Sequence, residues 1–320
     1  MAQNLNLNAD TDVAELTRAI CDIESVSGNE TAIADAIEAS LTQLPHLTVT
    51  RNADAIVART NLKRATRIII AGHIDTVPVA KNLPTEFREI NGERHLWGRG
   101  TVDMKAGVAV QLKLAATLSN PTADLTWIFY DHEEVDASLN GMGRLARQNP
   151  ELLAGNFAVL CEPTSAIIEG GCNGTMRIEV AAKGVKAHSA RAWMGKNAIH
   201  GLTDVLSVLS NYEPQEIEVD GLSYRESLNA VLIGGGIATN VIPDAAVVTV
   251  NYRFAPSKSI ADAEEHLRSL FANIDDVTIT VTDASAGARP GLDQQAAQAF
   301  IAATGLETRP KYGWTDVARF

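Results

Sequence analysis

The stretch 124–136 reads DLTWIFYDHEEVD, and it decides how the first half of the chain is built. Its apolar part, residues 125–130, has the length and composition of a strand buried within a sheet. This strand leads directly into a run of charged residues, namely Asp131, His132, Glu133, Glu134 and Asp136. Carboxylates packed this closely repel one another and lose hydration near a sheet end. We therefore expect a positive partner at this strand end in the working protein.

Length and composition indicate an ordinary globular protein. The 320 residues suffice for two domains, and the 46% hydrophobic and 21% charged content is unexceptional. No apolar run approaches the ~20 residues that cross a bilayer, and the N-terminus lacks the pattern of a signal peptide. The net charge of −12 and the lack of a Lys/Arg cluster argue against a nucleic-acid partner. Three cysteines without a CxxC pair favour the cytoplasm over a disulfide framework.

Apolar strands alternate with helices through the first 165 residues. We predict strands at 47–50, 55–59, 67–71, 125–130 and 157–162, and helices at 10–44 (with a break at SVSGNE, 25–30), 103–118 and 139–148. This alternation predicts a largely parallel sheet covered on both faces. Ligands of such sheets bind beyond the carboxyl ends of the strands, where AGHID and DHEE lie.

The pattern changes near Gly174. A strand at 175–184 is followed by a helix at 196–210, strands at 229–237 and 245–254, a helix at 259–272 and a strand at 277–283. This β-α-β-β-α-β order is typical of a ferredoxin-like sandwich. We therefore predict an α/β fold in which residues 1–173 and 285–320 form a discontinuous first domain, and residues 174–284 form an inserted α+β domain.

Candidate metal ligands follow the first strands. In AGHIDTVP (71–78), His73 and Asp75 lie two residues apart, so an extended backbone points both to the same side. That spacing suits a metal-binding imidazole held by a carboxylate, although a lone His at a strand end is more often a hydrogen-bonded core residue. Asp103 lies at a glycine-flanked turn in WGRGTVDMKAG (97–107), where its plain interpretation is a helix N-cap.

Further carboxylates follow the next strands. Glu133 and Glu134 come after the strand at 125–130, and Glu162 ends the following one in CEPT, where it could simply begin a loop. One imidazole and several carboxylates at neighbouring strand ends are suitable ligands for zinc or a similar divalent cation. Adjacent Glu133 and Glu134 cannot easily be equal ligands of one ion, so one would bind metal while the other takes a proton from the attacking water.

Six motifs occur in a recognisable order along the chain: GHIDTVP (72–78), GRGTVDMKAG (98–107), HEEVD (132–136), CEPT (161–164), KGVKAHSA (183–190) and NVIPD (240–244). In this order they resemble the di-zinc aminoacylase and carboxypeptidase family over almost the entire chain. The resemblance implies a catalytic domain that holds two zinc ions per subunit, for which cobalt or manganese can substitute. It also implies that the smaller domain, 174–284, acts as a lid and as the interface of a homodimer.

The resemblance further assigns roles to individual residues. It implies that His73 and Glu162 hold one zinc, that Glu134 holds the other, that Asp103 bridges both, that Asp75 orients His73, and that Glu133 is the general base. His188 in KAHSA and Asn240 in TNVIP resemble the residues that stabilise the oxyanion, with His188 serving the site of the partner subunit. Arg253 in NYRFAP resembles the arginine that binds the substrate carboxylate, and its plain interpretation is a surface charge.

The implied reaction is the removal of an acyl group from an amino acid, a small-molecule substrate. HIDTVPVAKNLP (73–84) and YGWTDVARF (312–320) resemble succinyl-diaminopimelate desuccinylases of the actinobacterial type, which implies hydrolysis of N-succinyl-LL-2,6-diaminopimelate in lysine and cell-wall synthesis. Acetylornithine deacetylase and dipeptidase activities remain alternatives, as does a non-catalytic metal-binding or scaffold protein. Glu133 argues against the last, since a pure binding site needs no additional base.

The family carries another metal-binding histidine after the stretch that corresponds to WTDVARF. Here that stretch ends at Phe320, and no histidine follows His266, which lies in the predicted second domain. We expect the sequence to be a shortened chain whose C-terminal catalytic part is incomplete. A protein that truly ended at Phe320 would be expected to hold about one zinc per chain, because catalytic zinc normally has three protein ligands.

Overall fold

The structure, a computed structural model, describes residues 5–320. The chain divides into two compact units: the first extends to Ala166 and includes Arg319–Phe320, and the second is Ile167–Ala318. The α-helices are α1 (Val13–Cys21), α2 (Thr31–Thr42), α3 (Lys105–Thr117), α4 (Gly141–Gln148), α5 (Thr203–Ser210), α6 (Ile260–Leu270) and α7 (Gln295–Thr304). Short 3₁₀ helices occur at Pro150–Leu152, Ser189–Met194, His200–Leu202 and Asp316–Arg319.

The strands of the first unit are β1 (Thr48–Asn52), β2 (Ala55–Arg59), β3 (Arg67–His73), β4 (Glu86–Ile90), β5 (Glu93–Trp97), β6 (Asp124–Tyr130) and β7 (Phe157–Leu160). Those of the second unit are β8 (Ile168–Gly170), β9 (Gly174–Lys183), β10 (Ala187–His188), β11 (Glu216–Val219), β12 (Leu222–Arg225), β13 (Ser227–Gly235), β14 (Val241–Ile242), β15 (Ala245–Phe254), β16 (Val277–Ser285) and β17 (Thr308–Pro310). These bounds agree with most of the strands predicted above.

The first unit is built on a five-stranded sheet in the order β1-β2-β6-β3-β7. Strands β6, β3 and β7 run parallel, whereas β1 and β2 add an antiparallel edge. One face packs against α1, α2 and α3 through a cluster that includes Ile37, Leu112 and Trp127. The other face packs against α4, with Met142 and Leu145 beside Ile128. The prediction of a sheet covered on both faces is therefore confirmed.

The second unit contains a four-stranded antiparallel sheet in the order β13-β15-β9-β16. With α5 between β9 and β13, and α6 between β15 and β16, the order of elements is the predicted β-α-β-β-α-β. Apolar residues of α5 and α6 pack on one face of this sheet, with Leu209 and Leu267 in the same cluster as Val250. Gly174 opens β9 where the ring of Phe254 leaves no room for a side chain.

The segments that flank this sheet in sequence pair with one another. Strand β8 runs parallel to β17, and Cys172 forms an antiparallel bridge with Ala288. The second unit accordingly begins at Ile167, close to the predicted boundary at 174, and it includes most of 285–320. The assignment of 285–320 to the catalytic domain therefore stays a prediction.

Two features differ from the sequence-based expectations. The hairpins β4-β5 and β11-β12 were not anticipated, since strands of four or five residues are too short for alternation to give a clear signal. The predicted helix at 196–210 is α-helical only from Thr203. Within residues 5–320, no helix is both long and apolar enough to cross a membrane.

Candidate metal centre

The parallel strands bring three loops to one edge of the first sheet. His73 is the last residue of β3 and pairs with Tyr130, the last residue of β6. Strand β7 ends at Leu160, beside Ala71 on the other side of β3. The loop after β6 and the segment after β7 therefore emerge next to His73, because the carboxyl ends of parallel strands meet at one edge.

His73, Asp103 and Glu162 form a group of potential metal ligands. One donor atom from each lies within 4.8 Å of the other two. Nε2 of His73 is 3.2 Å from Oδ1 of Asp103 and 4.0 Å from Oε1 of Glu162. An imidazole nitrogen and two carboxylate oxygens are suitable donors for a divalent metal ion, so the residues present fit such an ion.

The orientation of His73 leaves the correct nitrogen for metal binding. Its Nδ1 lies 3.0 Å from the backbone oxygen of Asp75 and 3.4 Å from Oδ1 of the same residue. In the neutral ring, Nδ1–H donates to Asp75, and the lone pair of Nε2 then faces Asp103 and Glu162. Asp75 therefore orients the His73 ring through its backbone carbonyl oxygen as well as through its carboxylate, the group for which this role was predicted.

Without metal, the acids around His73 favour its protonated form. Burial lowers the pKa of His73, but the hydrogen bonds with Asp103 and Asp75 and the charge of Glu162 outweigh it, so the pKa lies well above its usual value. A metal ion at this site must therefore displace a proton from the ring.

Asp103 is not the helix N-cap that its sequence context suggested. Helix α3 begins at Lys105, and Met104 precedes it without a capping hydrogen bond from its side chain. The Asp103 side chain is 53% exposed and directs Oδ1 to His73. Lys105 is buried and donates to the backbone oxygens of Ile20 and Ile23, which ties the start of α3 to the end of α1. No sequence motif predicted this role for the lysine.

Asp75 also holds the loop that carries the two glutamates. Its buried carboxylate accepts hydrogen bonds from the backbone N–H groups of Glu133 (3.0 Å) and Glu134 (3.1 Å) and from the hydroxyl of Ser27 (2.7 Å). Burial raises the pKa of Asp75, but the hydrogen bonds and charge of His73 and these donors outweigh it and lower the pKa to about 2. Asp75 is therefore ionised at neutral pH.

Glu134 lies near these acids but outside the close group of donors. Among the described residues, that group consists of His73, Asp103 and Glu162. Burial and the charge of Asp103 raise the pKa of Glu134. A cation beside Glu134 would oppose the effect of the Asp103 charge and lower the pKa of Glu134. The assignments of Glu134 to a second metal and of Glu133 to the general base stay predictions.

Two of the residues predicted to bind the substrate are adjacent in the second unit. His188 on β10 pairs with Val241 on β14, and the backbone N–H of Ser189 donates to the backbone oxygen of Asn240 at 2.9 Å. Nδ1 of His188 accepts from the N–H of Ala190 at 3.1 Å. The neutral ring therefore carries its proton on Nε2, where it can donate to a substrate oxygen. Both side chains are exposed.

Arg253 lies on a different part of the same unit. It pairs with Thr175 of β9 and Ser227 of β13, and its Nε donates to Asn251 at 3.1 Å. Burial and the nearby Arg177 lower its pKa, as expected of a guanidinium that is partly withdrawn from water. The structure thus places Arg253 away from β10 and β14, in the central strand β15.

Comparisons with known proteins agree with this geometry. Residues 69–320 match the model of peptidase family M20/M25/M40. A Mycobacterium tuberculosis protein with the provisional name succinyl-diaminopimelate desuccinylase DapE is 52% identical over 310 residues, covering 97% of this chain and 86% of that protein. A succinyl-diaminopimelate desuccinylase of Corynebacterium glutamicum is 46% identical over 313 residues, covering 95% and 84%. A Staphylococcus aureus tripeptidase has a similar fold, with a TM-score of 0.77 at 19% identity, covering 98% of this chain and 87% of the other.

Proposed function

Because the chain belongs to peptidase family M20/M25/M40 and is a metal-dependent amide hydrolase, we propose that it hydrolyses N-succinyl-LL-2,6-diaminopimelate to succinate and LL-2,6-diaminopimelate. The observation that carries the substrate assignment is the 46–52% identity, over nearly the whole chain, to two relatives named for this reaction. Such a reaction would belong to the synthesis of lysine and of the cell wall.

We propose zinc as the metal, with two ions per subunit. His73 and Glu162 would hold the first ion, Glu134 the second, and Asp103 both. The close approach of His73, Asp103 and Glu162 supports the first of these sites. When bound, such ions polarise the scissile carbonyl and lower the pKa of water.

The chain's own side chains would perform the proton transfers. Glu133 takes a proton from the attacking water and delivers it to the leaving amine nitrogen, which balances the hydrolysis of one amide bond. The backbone hydrogen bonds from Glu133 and Glu134 to Asp75 support this role, because they fix the loop next to the strand end that carries His73. Nε2 of His188 and the amide of Asn240 would donate to the developing oxyanion, and Arg253 would bind a substrate carboxylate.

We also propose that the protein forms a homodimer through the second unit. Strand β13 is an edge of its sheet, and it exposes Val231 by 50%, Leu232 by 70% and Ile233 by 60%. An apolar edge strand of this kind is a template for pairing with another chain. Pairing through β13 would agree with the proposal that His188 serves the site of the partner subunit.

We place the protein in the cytoplasm. Its cysteines Cys21, Cys161 and Cys172 are free. Burial raises the pKa of Cys21 to about 12 and that of Cys161 to about 11, so both are poor nucleophiles for disulfide exchange. This usage is consistent with a reducing compartment.

The substrate assignment predicts a clear preference between two acyl amino acids. We expect kcat/KM for N-succinyl-LL-2,6-diaminopimelate to exceed that for N-acetylornithine by ~10²-fold or more. A site that hydrogen-bonds a polar group of its substrate rejects an analogue without that group, because the polar side chains of the site are then left unpaired. Amine release measured with each compound on the zinc-loaded protein tests this. Equal or faster turnover of acetylornithine would reject the proposed substrate and leave the hydrolase assignment intact.

A further inference from the structure

The segment SVSGNE (25–30), which separates α1 from α2, lies beside the metal centre. Val26 forms a parallel bridge with Thr76. The backbone N–H of Ser27 donates to the backbone oxygen of Thr76 at 3.1 Å, and the N–H of Thr76 donates to the backbone oxygen of Ser25 at 2.9 Å. The sequence suggested only a helix break here. In the structure, the segment runs alongside the residues that follow His73.

Glu30, the last residue of this segment, directs its carboxylate to the loop after β6. The side chain is fully buried. Its Oε1 accepts hydrogen bonds from the backbone N–H groups of Gly28 at 3.0 Å and His132 at 3.2 Å. Glu30 immediately precedes α2 but makes no capping hydrogen bond with that helix. The carboxylate therefore serves the neighbouring loops instead of its own helix.

Together, Glu30 and Asp75 bind three successive N–H groups of the catalytic loop. The N–H of His132 donates to Glu30, and the N–H groups of Glu133 and Glu134 donate to Asp75. The acceptor of the Glu133 and Glu134 N–H groups is ionised, because the pKa of Asp75 is lowered, and hydrogen bonds to an ionised acceptor are stronger than those between neutral groups. Two buried carboxylates thus fix the backbone on both sides of the proposed base, Glu133.

His132 has a backbone conformation that needs such support. Its φ is +58°, in the left-handed region that residues other than glycine seldom adopt. Such a conformation persists only when the surroundings determine it. The ring of His132 adds to the attachment, since its Nδ1 lies 2.7 Å from Oδ2 of Asp131 and 3.3 Å from Oε1 of Glu30.

Asp131 is itself anchored from the opposite side. Its two carboxylate oxygens bind the guanidinium of Arg144 on α4. His132 is therefore held through its ring by Asp131 and through its backbone by Glu30. Of these two contacts, the one with Glu30 acts directly on the backbone that leads into Glu133.

We propose that Glu30 is a positioning residue for the hydrolysis, because it holds the backbone of His132 and thereby the orientation of Glu133. This inference rests on the proposed role of Glu133 as the base. Displacement of a reacting group by about 1 Å can reduce a rate ~10²-fold. The loss of Glu30 should therefore affect the chemical step more than substrate binding.

Two variants at position 30 separate the acceptor from the rest of the side chain. We expect Glu30→Ala to lower kcat by ~10- to 10²-fold and to change KM by less than about threefold, with the metal content unchanged. Glu30→Gln retains an oxygen that accepts the same N–H groups, so its kcat should stay within about threefold of the wild type. Glu24→Ala, at the exposed position immediately before this segment, is the matched control and should behave like the wild type.

A substitution that lowers stability without touching the loop is the control for a purely structural effect of Glu30→Ala. Ile33→Val on α2 removes a buried methylene group without touching the loop, and it should lower Tm while leaving kcat per folded molecule unchanged. If Glu30→Ala does not fold, Glu30→Asp withdraws the carboxylate by one methylene group and should still lower kcat. A kcat within about threefold of the wild type for folded Glu30→Ala, or an equal loss in Glu30→Gln, would overturn the proposal.

Hydrogen exchange gives a readout that does not depend on the substrate. The peptide containing residues 131–134 should exchange its amide protons at least ~10-fold faster in Glu30→Ala than in the wild type, while peptides from the β1-β2 hairpin should not change. An unchanged exchange rate at 131–134 in Glu30→Ala would reject the positioning role of Glu30, whatever the substrate of the protein is. Inactivity of the wild type toward succinyl-diaminopimelate would reject only the proposed function.

Discussion

Glu133→Ala is expected to lower kcat by ~10²-fold or more while the protein keeps its metal, because removal of a general base typically costs this much. The substitution leaves the loop attached, since it is the backbone N–H of Glu133 that donates to Asp75. KM should change little, because the carboxylate acts on the attacking water and not on the substrate. Steady-state kinetics and elemental analysis of the same zinc-loaded sample provide the test.

Glu134→Ala is the matched control for this experiment. It removes a carboxylate from the adjacent position, and the proposed assignment requires it to weaken metal binding as well as turnover. The two variants should therefore differ in metal content. Activity near the wild type in Glu133→Ala would reject that residue as the base, and a metal loss equal to that of Glu134→Ala would show that it is a ligand.

Mixing two inactive variants should restore activity if His188 serves the site of the partner subunit. His188→Ala and Glu133→Ala homodimers each lack one required group in both sites. After complete exchange of equal amounts, half of the dimers are hybrids with one intact site, so about a quarter of the wild-type activity should return. A coupled assay before and after mixing measures this return.

The hybrid experiment needs evidence that subunits have exchanged. Differently tagged variants allow the hybrid to be isolated and assayed directly. Glu133→Ala mixed with a chain that carries both substitutions is the control, because none of its hybrids contains an intact site. If the isolated hybrid of the two single variants is inactive, the shared site is wrong, whether or not the protein is a dimer.

Most of the fold follows from patterns that are local in the sequence. The run 125–130 becomes the fully buried β6, and the alternating residues of 245–254 become β15, since the periodicity of side chains reports which faces are buried. The family suggested by the six motifs is confirmed by the match over residues 69–320. The β4-β5 hairpin escaped prediction because none of its strand residues is buried, so hydrophobic burial does not specify it.

The candidate site was only partly predictable for a different reason. His73 and Glu162 became candidate ligands because metal chemistry restricts the residue types and the strand ends restrict their positions. The family resemblance added Asp103, and the structure brings the three side chains together. Ser27 and Glu30 carry no such restriction, and a Ser or Glu in a helix break has many ordinary explanations. Their contacts with Asp75 and His132 depend on pairing across 48 and 102 residues of sequence. Such contacts arise only from the tertiary fold.

We propose that hydrolysis of a succinylated amino acid depends on a metal ion that His73, Asp103 and Glu162 would hold. The most direct measurement is amine release from N-succinyl-LL-2,6-diaminopimelate by chelated, dialysed protein before and after zinc is added. We predict activity below ~1% of the zinc-loaded value without metal and recovery with zinc, because an ion bound by these residues would lower the pKa of the attacking water and polarise the carbonyl. His73→Ala should not recover at the same zinc concentration. Hydrolysis by metal-free protein at the full rate would rule out a metal-dependent mechanism, and no hydrolysis after zinc has demonstrably bound would rule out this substrate.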